Sequence, residues 1–120
     1  MANAPEQSRN EIAGLPADEE AVRRYAHLDS QRQAALVRVA RVAGDVASAN
    51  RAALSIAWWV DAEVEGWEEF VIQATPPDAA ADLPLLRQLA VDVEEERQLI
   101  DDPIVREWVL DNVVVTTVTR

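Results

Sequence analysis

The segment AWWVDAEVEGWEEF, residues 57–70, contains three of the four tryptophans of this chain and five of its acidic residues. Trp58 and Trp59 are adjacent, so on a helix their side chains would point about 100° apart and could not join one narrow apolar stripe. The predicted fold therefore depends on how this segment continues the pattern of apolar residues on either side of it.

Apolar residues recur at alternating spacings of three and four residues through this region. Eleven of the twelve heptad positions between Leu36 and Ala74 are apolar, and Asn50 is the exception. This period is typical of a helix that packs along one stripe. It predicts one long central helix over residues 31–74, ended by the proline pair that begins at Pro76. The seam of that helix consists of Leu36, Val39, Ala43, Val46, Asn50, Ala53, Ala57, Val60, Val64 and Trp67.

A helix of this length does not fit within a small domain. It would extend roughly 65 Å, whereas a compact domain of this size is only about 35 Å across. Either the helix kinks, at Gly44 or Gly66, or it packs along a second copy in a homodimer. A buried Asn50 that pairs with its symmetry mate would fix the register of such a dimer. The alternative places Asn50 at a helix end or facing solvent.

Shorter helices are predicted on both sides of the central one. Asp18 can cap a first helix, and Ser30 begins a capping-box pattern for the next. After the prolines, Asp78 or Asp82 can cap a helix that runs to about residue 100. Asp102, followed by proline, begins another. We therefore predict an all-α helical-bundle homodimer with one long central helix and two or three shorter ones.

The same patterns divide the chain into three parts. Residues 1–16 are predicted to form a flexible lead, and residues 17–112 to form the helical domain. The run VVVTTVT at 113–119 is β-branched throughout, so residues 113–120 are predicted to form an extended or strand-like tail.

Composition excludes several classes of protein. The chain has no cysteine, which excludes disulfides, thiolate metal sites and cysteine nucleophiles. Its longest nearly apolar run, residues 52–60, is far shorter than the ~20 residues that cross a bilayer. The first residues lack the basic and apolar regions of a signal peptide. We therefore expect a cytoplasmic protein without membrane association.

The net negative charge of the chain comes entirely from its second half. Residues 1–60 carry seven acids and seven arginines, while residues 61–120 carry fifteen acids and four arginines, which gives the net charge of −11. Direct binding to a nucleic-acid backbone is disfavoured, because no basic cluster offsets these acids. The acidic half could bind a basic protein partner or cations, or it could serve only to keep the protein soluble.

Acidic residues are the main candidates for catalysis. Carboxylates three or four residues apart share a helix face, and two such faces could hold Mg²⁺ or Mn²⁺. The layout is similar to the acidic helix pairs of the MazG-type all-α nucleotide pyrophosphohydrolases, which implies a metal-dependent phosphohydrolase, although the E-E-x-x-E and E-x-x-D motifs of that family are not reproduced. A solvated acidic surface explains the same residues. The candidate ligands are Glu65, Glu68, Glu69, Asp92, Glu95 and Glu96.

Other catalytic and binding motifs are weak or missing. His27 is the only histidine, and its place in a short amphipathic helix is typical of a surface imidazole. The sequence has no glycine-rich phosphate loop and no nucleophile elbow. A helix-turn-helix that binds DNA is a further hypothesis, with Gly44 in the turn and Ala40 as the small residue before it. Asn50 falls where that motif needs an apolar residue.

The indoles of Trp58 and Trp59 lie outside the seam, so another surface is expected to bury them. Core packing or self-association would bury Trp58 and Trp59. The alternatives are a partner surface that also contains Trp108, Glu65, Glu68 and Glu69, or a small-molecule pocket lined by Trp58, Trp59 and Trp108. We predict a non-catalytic acidic protein that acts in assembly or macromolecular binding. One possible role within this class is an inhibitor whose carboxylates imitate nucleic-acid phosphates, and no resident cofactor is expected.

Overall fold

The computed structural model describes residues 10–118, which form four helices, a three-stranded sheet and a two-stranded hairpin. The all-α prediction is therefore wrong. The first elements are β1 (Glu11–Ile12), β2 (Leu15–Pro16), α1 (Glu19–Ala26) and α2 (Ser30–Ala49). They are followed by β3 (Ala53–Val60), β4 (Glu68–Thr75), a 3-10 turn (Ala79–Ala81), α3 (Asp82–Gln98), α4 (Pro103–Asn112) and β5 (Val113–Thr117).

The end of α2 shows why the predicted helix of residues 31–74 does not form. Asn50 is the C-cap, and Arg51 takes the left-handed conformation with φ of 58°. The Ala52 N–H then donates to the Ala47 carbonyl at 2.8 Å, which closes a Schellman motif. Asn50 therefore lies at a helix end, and Gly44 lies inside an uninterrupted helix. The chain leaves the helix here and continues as a strand.

Aspartates begin four of the helical segments. Asp18 caps α1 by accepting from the Ala21 N–H at 2.7 Å, and Asp102 caps α4. Both caps confirm the prediction. The cap of α2 is Asp29 rather than Ser30, and Asp78 caps the 3-10 turn before α3.

The hairpin of β3 and β4 replaces the second half of the predicted helix. The two strands are antiparallel, with Trp58 opposite Phe70 and Ile56 opposite Ile72. In the connecting loop the Asp61 side chain accepts two backbone N–H groups, as in an Asx turn. Gly66 completes the loop with φ of 82°, a conformation that favours glycine.

The strand structure explains the adjacent tryptophans of the opening segment. Successive side chains of a strand point to opposite faces of the sheet. Trp58 packs against the core on the face covered by helices, whereas Trp59 lies on the other face and is 55% exposed. Two neighbouring indoles therefore have two different environments.

A mixed sheet results from the return of the chain through α3 and α4. Its strand order is β3-β4-β5, and β5 is parallel to β4. The β-branched run predicted to be extended thus forms a strand from Val113 to Thr117, directly after α4. Thr119 and Arg120 of the predicted tail lie outside the described residues.

The central core lies between α2, the other helices and the inner face of the sheet. The first four residues of the predicted seam are buried there, and Asn50 caps α2. The remaining seam residues lie on β3 or in the β3–β4 loop, so the predicted seam is not one surface. The buried members are Leu36, Val39, Ala43 and Val46; those on β3 or in the loop are Ala53, Ala57, Val60, Val64 and Trp67.

The predicted N-terminal lead is structured in its second part. Residues 1–9 lie outside the described residues, but β1 and β2 form a small hairpin that places Ile12 in the core at 2% exposure. Ala17 then forms a bridge with Ile56 along the edge of β3. The domain therefore begins before residue 17.

A first prediction concerns Glu20 on α1. Its carboxylate accepts from the Arg24 Nε at 2.7 Å and from the Arg23 Nη1 at 2.7 Å, and these arginines, Arg24 first, hold the pKa of Glu20 below its ordinary value of 4.5. A lowered pKa stabilises the folded state above the unfolded pKa, and this contribution is lost as the pH falls through the folded value. We expect wild type to have a higher Tm than Glu20→Gln near neutral pH, and this difference to disappear on acidification. Thermal unfolding at constant ionic strength measures it; a difference that persists after Glu20 is protonated contradicts the assignment.

Candidate functional site

A groove lies between the β3–β4 loop and the C-terminal end of α4. We call it the Trp67 groove, and its volume is about 500 Å³. The loop and the beginning of β4 form one wall, and the end of α4 with the beginning of β5 forms the other. Its lining residues are Val64, Glu65, Gly66, Trp67, Glu68, Glu69, Leu110, Asp111, Asn112 and Val114.

The apolar part of the groove is open to solvent. Trp67 is 53% exposed, Leu110 is 53% exposed and Val64 is 45% exposed. A large apolar side chain exposed alone is common, but several around one groove are typical of an interaction site. The Trp67 groove therefore offers an apolar surface that nothing else within residues 10–118 covers.

The polar part of the groove is acidic. Glu69 is only 8% exposed and accepts a hydrogen bond from the Trp67 Nε1 at 2.8 Å. Within the described residues it forms no ion pair, although a buried carboxylate is costly without a positive partner. Glu68 lies 3.6 Å from the Arg24 guanidinium, while Asp111 and Glu65 add further negative charge. Among the residues that the structure describes, no cationic side chain lines the groove.

A second cavity lies on the helix-covered side of the sheet, between α1 and α4. We call it the Trp58 pocket, and its volume is about 210 Å³. Phe70 lies between two indoles there, with its ring centroid 4.9 Å from that of Trp58 and 6.4 Å from that of Trp108. Both pairs are edge-to-face, the geometry that aromatic quadrupoles favour. The lining residues are Arg24, His27, Leu28, Trp58, Phe70, Trp108 and Asn112.

Two polar features distinguish the Trp58 pocket. The Trp58 Nε1–H is buried and has no hydrogen-bond partner within the described residues. The Arg24 guanidinium carbon lies 4.9 Å from the Trp58 ring centroid, in cation–π contact. None of the lining residues is acidic, although the chain carries twenty-two Asp and Glu residues. The Trp67 groove is thus lined by carboxylates, whereas the Trp58 pocket is lined by an arginine that pairs with Glu20 outside the pocket.

The structure separates the two acidic helix faces predicted to hold a metal ion. Glu65 lies in the β3–β4 loop, and Glu68 and Glu69 are adjacent on a strand, so their side chains point to opposite faces of the sheet. The second set, which consists of Asp92, Glu95 and Glu96, lies on α3, where Glu96 pairs with Arg38 at 2.7 Å. Within residues 10–118 no group of three or more His, Asp or Glu side chains could hold a metal ion.

The predicted partner and ligand residues divide between the two cavities. Trp58 and Trp108 line the Trp58 pocket, as the small-molecule hypothesis proposed, but Trp59 lies on the opposite face of the sheet. Glu65, Glu68 and Glu69 line the Trp67 groove together with Trp67, which had been assigned to the dimer seam. Sequence reasoning missed the contributions of α4 to the groove, because only the tertiary fold brings Leu110 and Asp111 beside the loop.

Comparison with models of protein families, with curated proteins and with solved structures finds no significant match to this chain. None of the described helices is both long and apolar enough to span a membrane.

Proposed function

We propose that this protein is a non-catalytic binding protein whose Trp67 groove holds a basic segment of another protein. The observation that carries the proposal is the buried Glu69 carboxylate, which has no cationic partner among residues 10–118 and lies beside the exposed Trp67 indole. A cationic side chain from a partner would supply the missing positive charge. The opening of the groove to solvent would let that side chain enter.

Arginine is the side chain that matches these groups best. Its planar guanidinium can donate two hydrogen bonds to a carboxylate and stack on an aromatic face at the same time. In the groove it would donate to Glu69 and lie against Trp67. The apolar neighbours Val64 and Leu110 would pack against the methylene groups of the arginine or an adjacent apolar residue. Glu65 and Asp111 lie at the exposed part of the groove and would attract further basic residues.

The unpaired edge of β5 supports an extended conformation of the partner segment. Within the described residues β5 pairs with β4 alone. The Val118 N–H donates to the Ala74 carbonyl, so in this parallel pair the alternate residues Val115 and Thr117 direct their backbone polar groups away from β4. An extended peptide could pair with this edge as a fourth strand. Val114 lines the groove, so a peptide that follows β5 would reach the acidic residues.

The charge of the whole chain would favour such an encounter. A net charge of −11 attracts cationic partners over a distance of about 8–10 Å at physiological salt. This attraction raises the association rate but does not select one site. Specificity would come from Glu69 and Trp67, because they combine a buried charge with an aromatic face.

A peptide titration tests the proposal. The probe is a short synthetic peptide that alternates valine and threonine and ends in two arginines, with binding measured by calorimetry. Trp67→Ala and Glu69→Gln are each expected to weaken binding about tenfold, since each removes a contact worth on the order of 1–2 kcal/mol. The dissociation constant of wild type should also rise with salt concentration.

The matched control is Glu95→Gln, which removes the same charge from an exposed position on α3. Its affinity for the peptide should remain within about twofold of wild type, because distant surface charges are screened. If Glu95→Gln weakens binding as much as Glu69→Gln does, the peptide binds through net charge alone and the groove has no specific role. Absence of peptide binding to wild type would also contradict the proposal.

A further inference from the structure

We infer that the Trp58 pocket is a second binding site, which takes a small molecule made of one aromatic ring with a carboxylate. This inference concerns a different cavity from the proposed function and is tested separately, although Arg24 of the pocket lies 3.6 Å from Glu68 of the Trp67 groove. The pocket lies on the helix-covered side of the sheet, and its volume of about 210 Å³ equals roughly seven times the share of one water in the liquid. That space suits a monocyclic ligand rather than a peptide.

The walls of the pocket select an aromatic ring. Trp58, Phe70 and Trp108 present faces and edges at angles of 75° and 64° to one another. A planar ligand ring can enter this arrangement with its edge against the face of one pocket ring and its face against the edge of another. Leu28 adds an aliphatic contact at the α1 side. A flexible aliphatic ligand of equal size would gain less from these surfaces.

The charge of the pocket selects an anion. Arg24 lines it, and no carboxylate of the described residues does, in a chain whose net charge is −11. The Arg24 guanidinium uses its Nε to bind Glu20 at 2.7 Å, and its Nη2 lies 3.6 Å from Glu68, which leaves further N–H donors. These contacts also hold the guanidinium beside the Trp58 ring. A ligand carboxylate could therefore accept hydrogen bonds from the remaining guanidinium donors, while Glu20 and Glu68 already offset the charge of Arg24.

The unpartnered Trp58 Nε1–H identifies the hydrogen bond that the ligand would complete. A buried N–H without an acceptor costs free energy, and indole can only donate. One carboxylate oxygen of the ligand would accept this hydrogen bond, and the other would accept from a remaining N–H of Arg24. The same indole would thus provide both an aromatic wall and the donor that orients the ligand.

The experiment is an NMR titration of the full-length protein with benzoate, observed through the four indole N–H signals. The Trp58→Phe variant lacks the Trp58 indole and therefore identifies its signal by the one that disappears. A thermal scan that gives an unchanged Tm shows that this variant is folded. We expect benzoate to shift the Trp58 and Trp108 signals and to leave those of Trp59 and Trp67 unchanged. Acetate, which lacks the ring, and benzylammonium, which has the opposite charge, should cause no such shift at the same concentration.

Affinity measurements on matched variants complete the test. Trp58→Phe keeps an aromatic wall but loses the donor, so it should weaken benzoate binding about tenfold, as followed by the Trp108 signal. Trp59→Phe and Glu69→Gln should bind benzoate as wild type does. The inference is overturned if wild type shows no shift, if benzylammonium shifts the same signals, or if Trp58→Phe binds benzoate equally well. None of these results depends on peptide binding in the Trp67 groove.

Discussion

Replacing Phe70 with alanine is expected to lower the free energy of unfolding by about 3–5 kcal/mol, the usual cost of removing a buried phenylalanine ring. Phe70 is 1% exposed, lies on the central strand of the sheet and contacts the indoles of Trp58 and Trp108. Its removal would leave a cavity between these rings and the helices that cover them. Since a small domain is stable by only about 5–15 kcal/mol, the variant should be close to unfolding at 37 °C.

Urea unfolding followed by circular dichroism measures this effect. The control is Trp59→Ala, which removes a larger ring from the same hairpin. Trp59 is 55% exposed on the uncovered face of the sheet, so its replacement should change the free energy of unfolding by less than about 1 kcal/mol. Equal losses in the two variants would contradict the placement of the two side chains on covered and uncovered faces.

The ends of helices and strands that depend only on neighbouring residues could be predicted from the sequence. Asp18 and Asp102 begin helices because a carboxylate can accept backbone N–H groups within three residues of itself. The β-branched run at the end of the chain forms β5 for a similarly local reason, since such side chains fit a pleated strand. No distant part of the chain is needed to explain these elements.

The β3–β4 hairpin could not be predicted in this way, because two periodicities coincide in it. The heptad seam passes through Ala53, Ala57 and Val71, whereas the core of the sheet is formed by other residues at alternate positions of the strands. Of the core residues of the hairpin only Ala74 is also a heptad position, so the heptad pattern and the core of the sheet use largely different residues. The core residues of the hairpin are Leu54, Ile56, Phe70, Ile72 and Ala74.

The end of α2 lacked the usual sequence signal. Helices that close with a Schellman motif most often have glycine in the left-handed position, but here that residue is Arg51. A non-glycine residue in this conformation costs on the order of 1 kcal/mol. The gain from sheet formation and core packing after residue 52 offsets this cost, and that gain depends on contacts far apart in sequence.

The candidate sites follow the same division between local and tertiary information. The acidic residues from Glu65 to Glu69 and the excess of tryptophan were visible in the sequence as candidates. Their separation into two cavities depends on the strand geometry, which places Trp58 beside Trp108 and Trp67 beside the end of α4. An adjacent pair of indoles is consistent with a helix or a strand, and only the covering elements decide which side chain lines a pocket.

The second large effect is expected at Asp18, where one side chain joins a helix to a strand. Its Oδ1 accepts from the Ala21 N–H at 2.7 Å, and its Oδ2 accepts from the Trp58 N–H at 3.2 Å on the edge of β3. Asp18→Ala should lower the free energy of unfolding by about 2 kcal/mol, roughly half from the lost cap and half from the lost contact with the strand. Urea unfolding measures the total, and amide hydrogen exchange at Trp58 should become faster in the variant.

Asp29→Ala is the matched control for this prediction. Asp29 caps α2 through an equivalent bond of 2.8 Å to the Arg32 N–H and also pairs with the Arg32 guanidinium, but within the described part of the chain it accepts no hydrogen bond from the sheet. Its replacement should cost about 1 kcal/mol and leave exchange at the Trp58 amide unchanged relative to wild type. Equal costs for the two variants, with no change in Trp58 exchange in either, would show that Asp18 acts only as a helix cap. A larger cost at Asp18 would instead indicate that α1 is held on β3 by this carboxylate, close to the tryptophan whose indole lines the Trp58 pocket.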